Sequence, residues 1–475
     1  MRYDLAIIGG GTAGLVSARS AAGLGARVVL IERERPGGDC LWTGCVPSKS
    51  LIAAADLAHK MRHADVLGLE PTEPRFDFAR VMAHVHGAQR TIEPHDSADS
   101  LRRDGVDVIE GSGAFAGPGR IAVNGRTIEY RSALIATGSR PNTPDIEGLS
   151  ETDPLTNETV WDLTEQPRRL AVLGGGPIGC ELGQAFRRLG SEVAIVQRRG
   201  YVLAKEEPEA RELIAERMRE DGVDLRLGCR PVRVDGELVI EREGQQDRLA
   251  FDRVLVAAGR SPQTAGMGLE TVGVETDERG AVKVDESLAT TAKHVYAAGD
   301  AVSALPFTHV AAYHARTVLT NALFKRRAKV DYSAVPWCTF TAPEVGRVGM
   351  NEEQARERFG DDVTVTSFPY EDNDRAITAS ETHGFAKLVG GPKGKLVGAT
   401  VAAAHGGESI AELAAWVRMG RRIDDVSQTV HAYPTFSEGQ ARAADEHLRR
   451  KFFNDRVRTV TKPLLAVLRA VDRPR

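Results

Sequence analysis

The sequence contains two glycine-rich turns, each placed between a short apolar segment and a helical pattern. The first follows the run YDLAII, and its glycines Gly9, Gly11 and Gly14 fit the pattern G-x-G-x-x-G. A helical pattern and a second strand, RVVLIE, come next and end at Glu32. Such a turn lets a pyrophosphate approach the helix N-terminus, and the acid accepts a hydrogen bond from a ribose hydroxyl. This order of elements predicts a dinucleotide site rather than a purely structural turn.

The same design returns in RLAVLGGGPIGCELGQAFRRLGSEVAIVQRR, which contains Gly174, Gly176 and Gly179. Its second strand ends at Gln197, where an acid would favour NAD, and Arg198 and Arg199 follow. Two guanidinium groups in place of an acid suit a ribose 2′-phosphate. The segment therefore predicts NADPH rather than NADH, the alternative being that the two arginines are solvated loop charges.

Two dinucleotide sites in one chain indicate electron transfer between two cofactors. Reduced nicotinamide is one, and a tightly held flavin fits the other. At 475 residues the chain is too long for a single core, so we expect an α/β protein with two Rossmann-like domains and further structure after them.

Composition narrows the expected partners and location. A net charge of −4 gives no reason to expect nucleic-acid binding, and no run of eighteen apolar residues indicates a membrane span. The N-terminus, MRYDLAIIGG, enters a strand at once and leaves no room for a secretory signal. We therefore expect a reducing, cytoplasmic location and no membrane association.

The segment GGDCLWTGCVPSK, residues 37–49, holds two of the five cysteines, Cys40 and Cys45. An odd number of cysteines does not indicate a disulfide scaffold. Pro47 fits the first turn of a helix, which puts Cys45 at or just before a helix N-terminus, where a thiol pKa is lowered. A redox pair is the prediction, and two buried small side chains are the alternative. The isolated cysteines, Cys180, Cys229 and Cys338, are expected to be buried, with no metal site.

This segment resembles the signature G-G-T-C-x-N-x-G-C-x-P-S-K of the class I FAD-dependent pyridine nucleotide–disulfide oxidoreductases, and it differs at Asp39 and Trp42. That family includes glutathione reductase, dihydrolipoyl dehydrogenase and mercuric reductase. ALIATGSRP (133–141), VLVAAGRSP (254–262) and TAKHVYAAGD are also similar to family segments. The C-terminal part looks like the family's α+β dimerisation domain, which implies a homodimer.

The resemblance implies roles for individual residues. Cys40 would be the exposed interchange thiol that meets the substrate, and Cys45 the charge-transfer thiol against the flavin. Lys49 and Glu181 would form an ion pair beside the flavin ring, and Lys49 would also contact the cofactor. An acid at position 39 should raise the pKa of the Cys40 thiol. The resemblance implies further cofactor contacts at Gly113, Thr137, Gly138, Ser139, Gly259, Asp300, Thr308 and His309, with Asp300 holding the flavin's ribitol.

The segment HAYPTFSE departs from the thiol-handling members. Glutathione reductase and dihydrolipoyl dehydrogenase have His-Pro-Thr-x-x-Glu there, and the partner subunit's histidine is the acid–base group. Here Tyr433 takes the histidine's place and Glu438 keeps the acid's place. A phenol with a pKa near ~10 is a poor proton shuttle beside an imidazole near ~6.5. His431 is the alternative shuttle, but two extended residues move it about 6–7 Å.

Mercuric reductase also carries tyrosine at that point, although it delivers its metal through a C-terminal cysteine pair. This sequence ends AVLRAVDRPR, without such a pair. It also has Pro177 where glutathione reductase has a gating tyrosine, which would leave the flavin less guarded. We therefore expect an NADPH-dependent enzyme that reduces a soft metal ion, a small disulfide or a quinone-like oxidant. The alternatives are a dihydrolipoyl dehydrogenase subunit of a multienzyme complex and a non-catalytic flavin-binding protein.

The expected domains follow the motifs along the chain. They are an FAD-binding part (1–150), an NADPH-binding domain (151–270), a return to the central domain (271–335), a dimerisation domain (336–452) and a basic amphipathic tail (453–475). The tail has helical spacing, and Pro463 is expected to kink it. Packing on the body or on the dimer partner is the expectation, and binding to an anionic membrane or acidic partner is the alternative.

Overall fold

A computed structural model describes residues 2–302 and 305–471. The chain divides into two compact units, which we describe separately. The first comprises the described residues up to His63, Pro71–Leu203 and Met218–Asp331. The second comprises Ala64–Glu70, Ala204–Arg217 and the described residues from Tyr332 onward.

Helices and strands alternate along most of the chain. Up to residue 141 they are β1 (Arg2–Ile8), α1 (Thr12–Gly23), β2 (Val28–Glu32), α2 (Gly38–Trp42), α3 (Cys45–Arg62), α4 (Phe78–Asp96), α5 (Ala98–Arg103), β3 (Val106–Glu110), β4 (Ala114–Phe115), β5 (Arg120–Val123), β6 (Arg126–Ile135) and β7 (Ser139–Pro141). From there to residue 324 they are β8 (Arg169–Leu173), α6 (Pro177–Arg188), β9 (Glu192–Gln197), α7 (Pro208–Glu220), β10 (Asp224–Leu227), β11 (Arg230–Val234), β12 (Leu238–Arg242), β13 (Gln245–Leu249), β14 (Arg253–Val256), β15 (Arg260–Pro262), β16 (Val295–Ala297) and α8 (Thr308–Phe324). The remaining elements are β17 (Pro336–Thr339), β18 (Glu344–Gly349), α9 (Glu352–Phe359), β19 (Thr364–Pro369), α10 (Asp374–Ala379), β20 (Phe385–Gly390), β21 (Leu396–Ala403), α11 (Gly406–Arg418), α12 (Ile423–Gln428), α13 (Glu438–Phe452) and α14 (Asp455–Val471).

The first sheet has the strand order β3-β2-β1-β6-β5-β4, and β16 also pairs with β6. Strands β1, β6 and β16 are parallel, with Ile8 opposite Ile135 and Ile135 opposite Ala297. Both faces of β1 are covered, since Leu5, Ala6 and Ile7 are fully buried. The carboxyl ends of these three strands therefore meet at one edge, where ligands of open α/β sheets bind.

A second parallel sheet in the same unit has the order β10-β9-β8-β14. Its apolar strands pack over a core that includes Leu149, Val196 and Ile240. A small antiparallel sheet, β11-β12-β13, adds to this core. The two strand–turn–helix repeats of the sequence thus build two Rossmann-like sheets, which confirms the predicted α/β class.

The second unit contains a five-stranded antiparallel sheet with the order β17-β18-β21-β20-β19. Helices α11 and α13 pack against it. Its core includes the fully buried Tyr370, Leu388, Val401 and Leu413. This arrangement agrees with the predicted C-terminal α+β domain.

The basic tail forms helix α14, which includes Pro463. Its apolar side chains are exposed, with Val460 at 71%, Leu464 at 57% and Leu468 at 49%. α14 therefore does not pack on the described residues of its own chain, and packing on a dimer partner, the other half of the expectation, stays a prediction. A new helix starts after Asn454, whose side chain accepts a hydrogen bond from the Val457 amide at 3.1 Å, so α14 does not continue the packed face of α13. Among the described helices, none combines the length and the apolar character that crossing a membrane requires.

Candidate active site

The first glycine turn follows β1 and begins α1. Gly9 has a φ of +106°, and a Cβ there would lie 2.3 Å from the carbonyl oxygen of Ala136. A Cβ at Gly14 would lie 1.9 Å from the Gly9 oxygen, so only glycine fits both places. Glu32 Oε2 accepts a hydrogen bond from the Gly10 amide at 2.5 Å. The turn and the acid at the end of β2 are therefore brought together.

Buried polar groups at this edge fit a bound dinucleotide. Thr137 Oγ1 is buried and has no hydrogen-bond partner among the described residues. Ser139 Oγ donates to Asp300 Oδ2 at 2.7 Å, and burial raises the pKa of Asp300. A buried hydroxyl without a partner, next to a glycine turn at parallel strand ends, matches a site for FAD phosphate and sugar oxygens.

The other predicted cofactor contacts occupy turns and helix starts in the same unit. Gly138 and Gly259 have positive φ values, +70° and +111°, directly after Thr137 and after β14. Gly113 precedes β4, with its backbone close to Ile31. Thr308 and His309 begin α8. These positions are compatible with the predicted contacts.

The second turn repeats the first. Gly174 has a φ of +119°, and a Cβ at Gly179 would lie 1.9 Å from the carbonyl oxygen of Gly174. Gly176 is the residue before α6. A Cβ at Gly175 would lie 3.3 Å from the Gln197 side chain, much as one at Gly10 would lie 3.0 Å from Glu32 Oε2. Gln197 therefore occupies the place that the acid occupies in the first turn.

Arg198 and Arg199 directly follow β9 and are exposed. Within residues 2–302 and 305–471, neither guanidinium forms an ion pair or a side-chain hydrogen bond. Two unpaired cations beside a neutral glutamine would attract a phosphate group.

Cys45 begins α3 and Cys40 lies in α2. Both are free thiols, and Cys45 Sγ lies 3.4 Å from Thr308 Oγ1. The pKa of Cys45 is lowered to about 6, chiefly by a hydrogen bond from Cys40, with further contributions from Thr308 and the charge of Lys49. The pKa of Cys40 is raised, chiefly by the same hydrogen bond and by burial. The reduced pair therefore carries its negative charge on Cys45 and its proton on Cys40.

The two thiols differ in exposure. Cys45 is exposed and Cys40 is half-buried, whereas the resemblance implies an exposed Cys40. Cys40 lies within the short helix α2, whereas Cys45 is the first residue of α3.

Lys49 lies one turn after Cys45 on α3, and Glu181 is the fifth residue of α6. The two helices pack together. Lys49 Nζ donates to Glu181 Oε2 at 2.7 Å, and the Glu181 side chain is only 8% exposed. The structure thus forms the ion pair that the resemblance implies.

Asp39 and Trp42, the two residues that differ from the family signature, each contact nearby side chains or backbone. Asp39 Oδ1 accepts a hydrogen bond from Thr43 Oγ1 at 2.6 Å and lies 3.3 Å from Arg260 Nη2. Trp42 Nε1 donates to the Pro36 oxygen at 2.8 Å, and the Arg35 guanidinium lies 3.5 Å from the Trp42 ring. Sequence reasoning missed Arg260, although it directly follows Gly259 in one of the segments that resemble the family.

In the second unit, Tyr433 is 67% exposed and its hydroxyl donates to Asp374 Oδ2 at 2.7 Å. That hydrogen bond is the main reason why the pKa of Tyr433 is raised. Glu438 begins α13 and forms an ion pair with Arg442 at 2.8 Å. Asp374 lies 59 positions from Tyr433 in the chain, and no sequence pattern pairs the two.

Both ring nitrogens of His431, the alternative shuttle, have partners in the second unit. Its Nε2 lies 3.0 Å from Glu412 Oε1, and its Nδ1 lies 2.9 Å from the Thr429 oxygen. The side chain is only 8% exposed. Both ring nitrogens are therefore engaged inside the second unit.

The isolated cysteines differ in burial. Cys180 and Cys229 are buried as predicted, and Cys338 is half-buried. Among the described residues, no group of three or more His, Cys, Asp or Glu side chains could hold a metal ion.

Two Rossmann-like sheets, a thiol pair with one depressed pKa and a lysine–glutamate pair beside it define a flavoprotein oxidoreductase that works through a redox disulfide. A family model described as pyridine nucleotide-disulphide oxidoreductase matches residues 3–315, and the model of its dimerisation domain matches residues 335–444. The chain belongs to this family, whose members use FAD and NAD(P)H. The resemblance seen in the sequence is confirmed.

The similar proteins include enzymes with different substrates. The chain is 37% identical to a mercuric reductase from Staphylococcus aureus, over 93% of this chain and 82% of the relative. It is 36% identical to a dihydrolipoyl dehydrogenase from Thermus scotoductus, over 93% of this chain and 97% of the relative. A Cu(II) complex of the HOCl-induced flavoprotein disulfide reductase RclA from Escherichia coli matches with a TM-score of 0.82 at 29% identity, over 94% of this chain and 99% of that one.

Proposed function

We propose that this enzyme passes electrons from NADPH, by way of FAD, to the Cys40–Cys45 pair and on to a soft metal ion. A small disulfide or a quinone-like molecule is the other kind of acceptor that such a dithiol can reduce. The observation that carries the proposal is Tyr433, an exposed phenol hydrogen-bonded to Asp374, where thiol-handling members have a histidine. FAD, when bound, supplies the centre that accepts hydride and stores two electrons.

The chain's own residues prepare the thiols. Cys45 is a thiolate above about pH 6, because Cys40 and Thr308 hydrogen-bond to it and Lys49 is nearby. Glu181 orients Lys49, whose ammonium group is the positive charge that acts on Cys45. Cys40 keeps its proton in the reduced enzyme. It is the thiol that we assign to the oxidant, and it releases this proton to solvent when it binds a metal ion.

A soft metal ion needs less from the protein than a disulfide does. Reduction of a disulfide releases two thiols, and a general acid speeds the departure of each sulfur by protonating it. Thiolates favour soft metal ions without such an acid. The raised pKa of Tyr433 keeps the phenol neutral and makes it a weak proton donor. Mercuric reductase relatives and the Cu(II) complex of RclA support a metal ion as oxidant.

We also propose a homodimer in which Cys40 of one subunit works with Tyr433 and Glu438 of the other. The match to the family's dimerisation domain supports this arrangement. A second subunit would then complete the site.

The proposal is tested by anaerobic NADPH oxidation with a panel of acceptors: Hg(II), Cu(II), lipoamide, glutathione disulfide and quinones. We expect the highest kcat/KM with a metal ion and slow turnover of lipoamide. Cys40→Ser is the control, because a metal or disulfide reaction at the thiols requires Cys40, whereas direct reduction of a quinone does not. Efficient lipoamide turnover would instead favour a dihydrolipoyl dehydrogenase, the alternative supported by the Thermus scotoductus relative.

Coenzyme choice gives a further prediction. We expect a higher kcat/KM with NADPH than with NADH, because Arg198 and Arg199 are unpaired beside Gln197. Changing both arginines to glutamine should lower the ratio of kcat/KM with NADPH to kcat/KM with NADH. The expected decrease is about 10- to 100-fold per lost charged hydrogen bond, at ~1.5–3 kcal/mol each. Steady-state kinetics with both coenzymes measure this.

Arg219→Gln serves as the control for lost charge, because Arg219 is exposed on α7. It should leave the coenzyme ratio unchanged. Equal use of NADPH and NADH by the unmutated enzyme would contradict the assignment of the two arginines.

A further inference from the structure

Asp39 directly precedes Cys40 and stands where the family signature has threonine. Its Oδ1 atom accepts hydrogen bonds from Thr43 Oγ1 at 2.6 Å and from Asn157 Nδ2 at 3.2 Å. The same oxygen lies 3.3 Å from Arg260 Nη2. The Asp39 side chain is 45% exposed, and none of these contacts uses Oδ2. A negative charge that is only partly neutralised therefore lies next to the Cys40 thiol.

Arg260 is fixed from several sides and is only 16% exposed. Its Nε donates to Ser139 Oγ at 2.8 Å, its Nη2 to the Ser139 oxygen at 2.9 Å and its Nη1 to Asn157 Oδ1 at 2.9 Å. Ser139 Oγ in turn donates to Asp300 Oδ2 at 2.7 Å. The rigid fork of the guanidinium thus holds one positive charge between two carboxylates, Asp39 beside the thiols and Asp300 at the predicted flavin site.

We propose that Asp39 and Arg260 are a positioning pair that controls the proton on the Cys40 thiol. The Asp39 carboxylate opposes a second negative charge at Cys40, and Arg260 limits that effect by neutralising part of the carboxylate. The reduced enzyme then holds its negative charge on Cys45 and presents a neutral thiol at Cys40. This inference rests on the proposed redox role of the cysteine pair, but not on the identity of the oxidant.

Several groups act on the proton of Cys40. Its pKa is raised first by the hydrogen bond with Cys45, then by burial and by the charge of Cys45, and to a smaller extent by Asp39; the hydrogen bond with Thr308 opposes these effects. Lys49 acts on Cys45. Glu158 also faces Asp39 and Arg260, and burial raises its pKa. Among these groups Asp39 acts on Cys40 directly, and Arg260 acts through its contact with Asp39.

The test measures alkylation of Cys40 in the FAD-loaded enzyme after anaerobic reduction with NADPH. Iodoacetamide reacts with the thiolate, which displaces iodide and forms a thioether, and peptide mass spectrometry gives the rate at each cysteine as a function of pH. Asp39→Asn keeps the shape and removes the charge, so the rate at Cys40 at pH 7 should rise roughly two- to tenfold. Arg260→Gln should lower it by a similar factor.

The opposite signs separate this role from a structural one, because damage to the loop would shift both variants in the same direction. Arg140→Gln is the control, since Arg140 is exposed next to Ser139 and the described residues give its side chain no ion pair. In this variant the alkylation rate of Cys40 should not change. Arg260→Lys keeps the charge and should stay near the unmutated rate, which secures the comparison if Arg260→Gln does not fold.

An unchanged rate in Asp39→Asn, or shifts of the same sign in Asp39→Asn and Arg260→Gln, would overturn the inference while leaving the proposed function intact. If reduction with NADPH makes neither Cys40 nor Cys45 of the unmutated enzyme reactive towards iodoacetamide, the redox role itself fails, and this inference fails with it.

Discussion

Replacing Tyr433 by histidine should raise dihydrolipoamide turnover by about 10²-fold or more, within the ~10²–10⁴-fold range that general acid–base catalysis contributes. The unmutated enzyme should be slow with this dithiol, because its phenol stays protonated. The hydrogen bond to Asp374 raises the pKa of Tyr433 further, so that less phenolate is present at neutral pH to accept a proton. An imidazole at the same place titrates near ~6.5 and can accept and return a proton. Steady-state assays with dihydrolipoamide and with Hg(II) measure the change.

The same substitution should lower reduction of the metal ion, because the imidazole nitrogen that it introduces would compete with the thiols for the ion. His431→Ala is the matched control. Since both nitrogens of His431 are engaged by Glu412 and Thr429, its removal should change dithiol turnover little. If His431→Ala abolishes that turnover while Tyr433→His has no effect, His431 is the acid–base group and the role given to Tyr433 is wrong.

Replacing Cys45 by serine should remove the long-wavelength absorbance that reduction by NADPH produces, and should lower turnover on the order of 10³-fold or more, as loss of a covalent catalytic group does. The band requires a thiolate, and Cys45 has the lowered pKa. Because that pKa is about 6, the thiolate is present above this pH and is protonated below it. A pH titration of the reduced enzyme should therefore bleach the band as the pH falls through about 6.

Cys338→Ser is the control for loss of a thiol, because Cys338 is half-buried in the second unit. It should keep both the band and its titration. Survival of the band in Cys45→Ser would assign the thiolate to Cys40 and reverse the proposed roles of the two cysteines.

Local sequence was sufficient for the two glycine turns. Gly9, Gly14, Gly174 and Gly179 are required by close backbone contacts around the turns they form, so their pattern predicts the turn wherever the strands lie. The start of α3 at Cys45 followed from Pro47 in the same way. The packing of the tail was harder to predict. Its apolar spacing predicts a helix but not which surface covers the apolar face, and α14 leaves that face exposed.

The α/β class, the two dinucleotide turns and the thiol pair at a helix start could all be predicted from the sequence, because each depends on residues that are neighbours along the chain. Which charges surround those thiols depends on tertiary packing instead. Arg260 reaches Asp39 from a strand far along the chain, and Asp374 reaches Tyr433 across 59 positions. Coulomb and hydrogen-bond energies depend on distances in space, and only the packed strands and helices bring such side chains into contact with one another.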